Sequence, residues 1–112
     1  MKIINVFEKE LLETPHKVDV RLLYDDNSAQ VVHILLEPGE TLKPHITPVD
    51  VAFYVLEGSV DVRIGNETKT VHKDNLVESP KDIIHCLSNS SKSATRVLVI
   101  KAPKPTSQTR LL

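Results

Sequence analysis

A single cysteine, no tryptophan and only three glycines in 112 residues exclude several kinds of protein at once. Cys86 has no second thiol to pair with, so no intramolecular disulfide staples the chain, which fits a reducing compartment. No glycine-rich phosphate loop, serine-elbow motif, paired-cysteine zinc module or carboxylate dyad appears. The aromatics are Phe7, Tyr24, Phe53 and Tyr54, and none is interleaved with a basic run, so base stacking on nucleic acid is disfavoured. Charge of one sign is missing too: 14 Lys and Arg stand against 15 Asp and Glu, which leaves no field to draw the chain to a polyanion or a membrane surface. Apolar runs fall short of a spanning helix, and MKIINVFEKE breaks its apolar residues with Asn5 and charges before a signal-peptide core could form. The expectation is a cytoplasmic protein with no nucleic-acid or membrane partner.

What is present is alternation. Valine, isoleucine and threonine are plentiful, and apolar residues recur at every second position. The pattern predicts an all-β chain with strands near 2–6, 17–24, 29–36, 42–47, 51–57, 59–64, 68–72, 75–78, 83–88 and 95–101. FEKELLET, residues 7–14, is the one helix-like window and is too short for more than a turn or two before Pro15. Asp25-Asp26-Asn27-Ser28 reads as a hairpin turn, and Pro38-Gly39, Gly58 and Gly65-Asn66 as further reversals. Many short strands at regular spacing mean a sandwich or barrel. At this length a core forms without metal or disulfide, and the expected organisation is one domain over residues 1–102. In the tail, 103–112, two prolines remove backbone donors, so the tail is expected to leave the sheet. The strand VAFYVL is apolar on both faces, with Val51, Phe53 and Val55 on one and Ala52, Tyr54 and Leu56 on the other. One face fills the interior; the other asks for a second sheet or a second copy, and a homodimer is the economical expectation.

Two segments carry a motif. Gly39, His45 and Gly58 fall in the order glycine, five residues, histidine, twelve residues, glycine; Pro80, His85 and Asn89 follow as proline, four residues, histidine, three residues, asparagine. This resembles the two motifs of the cupin superfamily over residues 39 to about 89, and implies a double-stranded β-helix, or jelly-roll, cupin barrel. Cupins commonly hold manganese, iron, nickel, zinc or copper on three histidines and a carboxylate. Carried over by position, only His45 and His85 keep ligand chemistry. Thr47 stands at the second histidine, Val51 at the glutamate, and Asp74 and Asp82 replace two glycines of the second motif.

The resemblance therefore implies a divalent transition metal held by His45 and His85, and the residues themselves imply weak binding or none, because two imidazoles fall short of the three protein ligands of an ordinary catalytic zinc site. Asp50 lies one residue off the glutamate position, so alternation turns it away from the interior. His16, His33 and His72 read as structural, Glu57 and Glu78 as turn or surface residues, and Cys86 as an inert thiol facing away from His85. The favoured reading is a small-molecule binder whose pocket is lined by His45, Thr47, Val51, Phe53 and His85. A metal-dependent oxygenase or isomerase is the alternative. Metal-free acid–base catalysis by one histidine stands third, because imidazole titrates near neutrality but needs an acid partner that the motifs do not supply.

Overall fold

The computed structural model describes residues 1–107 and 110–111. The strands are β1 (Asp19–Asp26), β2 (Ala29–Leu36), β3 (Thr41–Ile46), β4 (Val51–Glu57), β5 (Ser59–Ile64), β6 (Glu67–His72), β7 (Leu76–Ser79), β8 (His85–Ser88), β9 (Thr95–Lys101) and β10 (Arg110–Leu111). They form two five-stranded sheets, in the orders β1-β2-β9-β4-β7 and β10-β3-β8-β5-β6. Every pairing is antiparallel. The expected all-β jelly roll is the observed architecture. Asp26 pairs with Ala29 across Asn27-Ser28, so the first hairpin closes where turn chemistry placed it.

Alternation decides what lies between the sheets. Val51, Phe53 and Val55 of β4 are buried together with Leu36 of β2, Leu87 of β8 and Val97 and Val99 of β9. Ala52, Tyr54 and Leu56 lie half-buried on the opposite side of β4. Removing a large side chain such as Phe53 from this core would cost roughly 3–5 kcal/mol.

Two departures from expectation have local causes. Residues 2–6 form no strand; the segment ends in a single 3-10 turn, Val6–Glu8, capped by Asn5, whose Oδ1 accepts from the Phe7 N–H at 2.9 Å. Arg21 reaches across from β1 and donates to the carbonyls of Lys9 at 3.1 Å and Val6 at 3.4 Å. A side chain thus satisfies backbone acceptors that a strand ladder would otherwise take. The tail, expected to leave the sheet, is held instead: Lys104 pairs with Asp25 at 2.8 Å, and Arg110 and Leu111 pair with Ile46 and His45. The outer edge of β3 offers unpaired backbone groups there, which an extended segment can use. Gln108, Thr109 and Leu112 of the same tail lie outside the described residues. Among the described residues no helix is long and apolar enough to cross a membrane.

Three of the turns each depend on a left-handed residue, and the one at Asp82 leads into β8, which carries His85. Asp74 and Asp82, which stand at glycine positions of the second motif, both adopt the left-handed backbone, with φ of 72° and 62°. Aspartate tolerates that region better than most residues because its short side chain can bond locally. Gly58 has φ of 75°, and a Cβ there would lie 2.8 Å from the carbonyl oxygen of Ala94. Asn89, fully buried, donates to the carbonyls of Leu36 at 2.8 Å and Ser93 at 2.9 Å and accepts from the Ser91 N–H and hydroxyl. The motif asparagine is therefore a clasp between the β8–β9 turn and the end of β2.

Candidate functional site

His45 and His85 are direct cross-strand partners on β3 and β8. A register shift between Leu42 and His45 on β3 gives them this relation. Residues three apart on a regular strand face opposite sides, yet Leu42 and His45 both face the interior, because Lys43 and Pro44 together take up the extra length of a bulge. Proline belongs at such a site since it has no N–H to give to a ladder. The two imidazoles meet with centroids 4.4 Å apart at 66°, and Phe53 packs edge-on to His85 at 5.3 Å. Both histidines are buried.

The bulge also releases the backbone of Lys43. Its carbonyl accepts from His45 Nδ1 at 2.6 Å, and its N–H donates to Nδ1 of His16 at 2.8 Å. These two bonds set both tautomers: His45 keeps a bare, accepting Nε2, and His16 carries its proton on Nε2. His16 stacks edge-on to His45 with centroids 5.1 Å apart. Its sequence context reads as a structural turn, and it stands instead at the site, because the segment before β1 folds across the open end of the barrel.

His85 is held differently. Ser79 Oγ lies 2.7 Å from its Nδ1 and Thr47 Oγ1 lies 3.1 Å from its Nε2, so hydroxyls occupy both nitrogens. Burial is the leading cause that lowers the pKa of each ring. His85 falls to about 3, with His45 and Lys101 adding to the effect. His16 falls to about 4, helped by His45, Lys43 and Lys101. His45 is also lowered, although its bond to the Lys43 carbonyl pulls the other way. The imidazoles are therefore neutral at pH 7.

A cavity of about 280 Å³ opens beside these rings. His45, Thr47, Val51, Phe53 and His85 all line it, so the structure brings together the five residues singled out in the sequence. It adds His16 and Pro15 from the N-terminal strap, Leu111 from β10, Gln30 from β2 and Lys101 from β9. The row Val97, Val99, Lys101 faces inward by simple alternation, with the first two buried, and this is the signal that could have found Lys101. No comparable signal exists for His16, whose position depends on a non-local fold of the strap. The remaining histidines and carboxylates lie elsewhere. Asp50 caps the Lys81 N–H at 2.9 Å, and His33 is buried on the outer side of β2, accepting from Arg96 at 3.0 Å. His72 is exposed, and Cys86 does not line the cavity.

The donors do not fit a tight ion cage. Thr47 spends its hydroxyl on His85, Val51 offers no donor, and among the described residues no three His, Cys, Asp or Glu side chains are grouped to hold a metal. Of the two motif histidines, His45 alone presents a bare ring nitrogen in the way that metal-ligating histidines do.

Residues 32–101 match the model of the cupin domain. No curated protein sequence matches the chain. Among solved structures, the chain is similar to the TT1209 protein of Thermus thermophilus, at 27% identity and a TM-score of 0.80, covering 94% of this chain and 100% of that one. It is also similar to a conserved protein with a double-stranded β-helix domain from Klebsiella pneumoniae, at 18% identity and a TM-score of 0.83, over 99% and 96% of the two chains. The polyketide cyclase RemF of Streptomyces resistomycificus superposes at a TM-score of 0.84 with 19% identity, over 100% of this chain and 85% of that one. At the identities of the last two, the likeness speaks for the fold alone.

Proposed function

The chain belongs to the cupin family, and from that premise we propose that it binds a small organic molecule in the barrel cavity, at a site that does without the metal cage common among cupins. One observation carries the reading: a concave, largely apolar space whose few polar groups converge at one end, which is the usual form of a small-molecule site. His45 supplies an acceptor at Nε2, His16 a donor at its Nε2–H, and Phe53 and Val51 an apolar wall. Thr47 and Ser79 lock the His85 ring, so the polar end is already organised before a ligand arrives. RemF is a polyketide cyclase, so a barrel of this kind can serve an organic substrate; fold likeness does not carry the activity across.

The test is elemental analysis of tag-free protein purified without chelator, followed by titration with p-cresol monitored through backbone amide resonances. The expected result is substoichiometric metal with shifts confined to the cavity-lining residues, including Val51, Phe53 and His85. One firmly held ion per chain, or shifts scattered over the outer surface, would overturn the reading. The half-buried outer residues Tyr54, Leu98 and Ile100 on adjacent strands support pairing with a second copy through this sheet. A monomer mass by light scattering at micromolar concentration would remove that part.

A further inference from the structure

Among the described residues, every charged or ionisable group that lines the cavity is basic. Lys101, His16, His45 and His85 face it, and no aspartate or glutamate does. Lys101 is the last residue of β9 and half-buried, opposite Gln30 on β2 and Val51 on β4, in the same inward row as the buried Val97 and Val99. Among the described residues it forms no ion pair. An ammonium moved out of water without a partner is costly, and the lysine stem could have been met by a carboxylate from any of several neighbouring strands. Asp50, next to Val51 in sequence, spends its carboxylate on the Lys81 N–H instead. The described lining thus holds one cation, the His16 N–H donor fixed by Lys43, and no counter-charge.

Resting on the cavity-binding reading above, we propose that the ligand is an anion, a small carboxylate with an apolar body. Its carboxylate pairs with Lys101 Nζ, and its body lies on Phe53, Val51, Val99 and Ile34, which line the same space. Burial holds the Lys101 amine below its ordinary pKa, so an arriving carboxylate finds an under-solvated amine and strengthens its protonated form. A charge-assisted hydrogen bond of this kind outweighs a neutral one.

Wild-type protein and the Lys101→Met and Lys101→Arg variants would be titrated with benzoate and hexanoate and with the matched neutral amides, benzamide and hexanamide, by amide NMR. Methionine keeps the length of the stem and removes a half-buried charge, so the variant should fold, and its own amide spectrum checks this. Wild type is expected to prefer each carboxylate over its amide by roughly 10-fold or more. Lys101→Met should erase that preference, weakening the carboxylates far more than the amides, and Lys101→Arg should keep part of it. Equal binding of acid and amide to wild type, or a preference that survives Lys101→Met, overturns the assignment of Lys101 while leaving cavity binding intact. In either case Lys101 only lends its stem to the wall with its amine in solvent. Absence of any cavity shift with acids and amides alike overturns the cavity reading and this proposal together.

Discussion

Acidification from pH 7.5 to pH 5 should destabilise this protein through imidazoles that are buried neutral, His33 and His85 the most deeply. His33 and His85 are each 1% exposed, and burial drives their pKa values down from 6.5 to about 4 and about 3. For His33 the second cause is Arg96, whose guanidinium donates to Nε2; protonation would set one N–H against another. Its Nδ1 has no partner among the described residues, so the folded state gains nothing there that would favour the charged form. The folded pKa lies below the unfolded one, so the stabilisation is fully present above pH 6.5. It drains away as pH falls, until the folded pKa values are reached. Each group contributes a slope of about 1.4 kcal/mol per pH unit below 6.5, so this pair alone removes up to about 4 kcal/mol at pH 5, and the lowered His16 and His45 add to it. Domain stabilities run to roughly 5–15 kcal/mol, so this is a large share. Urea unfolding followed by far-ultraviolet circular dichroism at pH 7.5, 6.5, 5.5 and 5.0 reads it directly. With an m value of about 1.5 kcal/mol/M the midpoint should fall by roughly 2–3 M. His85→Gln should remove roughly a quarter to a third of the slope, since His16 also falls to about 4 and His45 is lowered too, so both titrate alongside His33. A midpoint that stays level between pH 7.5 and 5, or a slope untouched by His85→Gln, would show that these rings are not held neutral by burial.

Two further substitutions probe the scaffold that aims the histidines. Asn89→Ala takes the amide donor from the buried Leu36 carbonyl, one of two side-chain donors from the Ser93 carbonyl, and the acceptor from the Ser91 N–H. A loss of about 2–4 kcal/mol in chemical unfolding is expected, against less than about 1 kcal/mol for an ordinary surface change. Gly58→Ala places a methyl 2.8 Å from the Ala94 carbonyl oxygen at a φ of 75°; a melting temperature lowered by about 5 °C or more is expected, and an unchanged one would mean that the β4–β5 turn can be rebuilt without strain.

The strands and the two motif histidines were legible because both rest on local periodicity: β2, β4, β5 and β9 fall within a residue or so of their alternating segments, and His45 and His85 follow at fixed distances from turn residues. The departures at glycine positions were legible too, although not their outcome. Asp74 and Asp82 keep the left-handed backbone that the turns require, so losing the glycines altered chemistry and left geometry in place. The N-terminal segment misled for a definite reason. Ile3, Ile4 and Val6 suit a strand by residue type, but Asn5 caps a 3-10 turn at Val6–Glu8 and Arg21 reaches the carbonyls of Val6 and Lys9, and nothing local encodes a partner twelve to fifteen residues away.

By itself the sequence determined an all-β sandwich or barrel and the inward row of β4, since side-chain alternation and turn chemistry act over a few residues, and the resemblance of its two motifs implied the jelly roll and the shared cavity of His45 and His85. Tertiary structure alone decided that a bulge at Lys43–Pro44 turns His45 inward beside Leu42 and frees one backbone unit to hold both His16 and His45. It alone decided that the cavity which Lys101 faces by alternation has no carboxylate in its described lining. Those relations depend on segments far apart in the chain meeting at one end of the barrel, and no pattern within any single strand contains them.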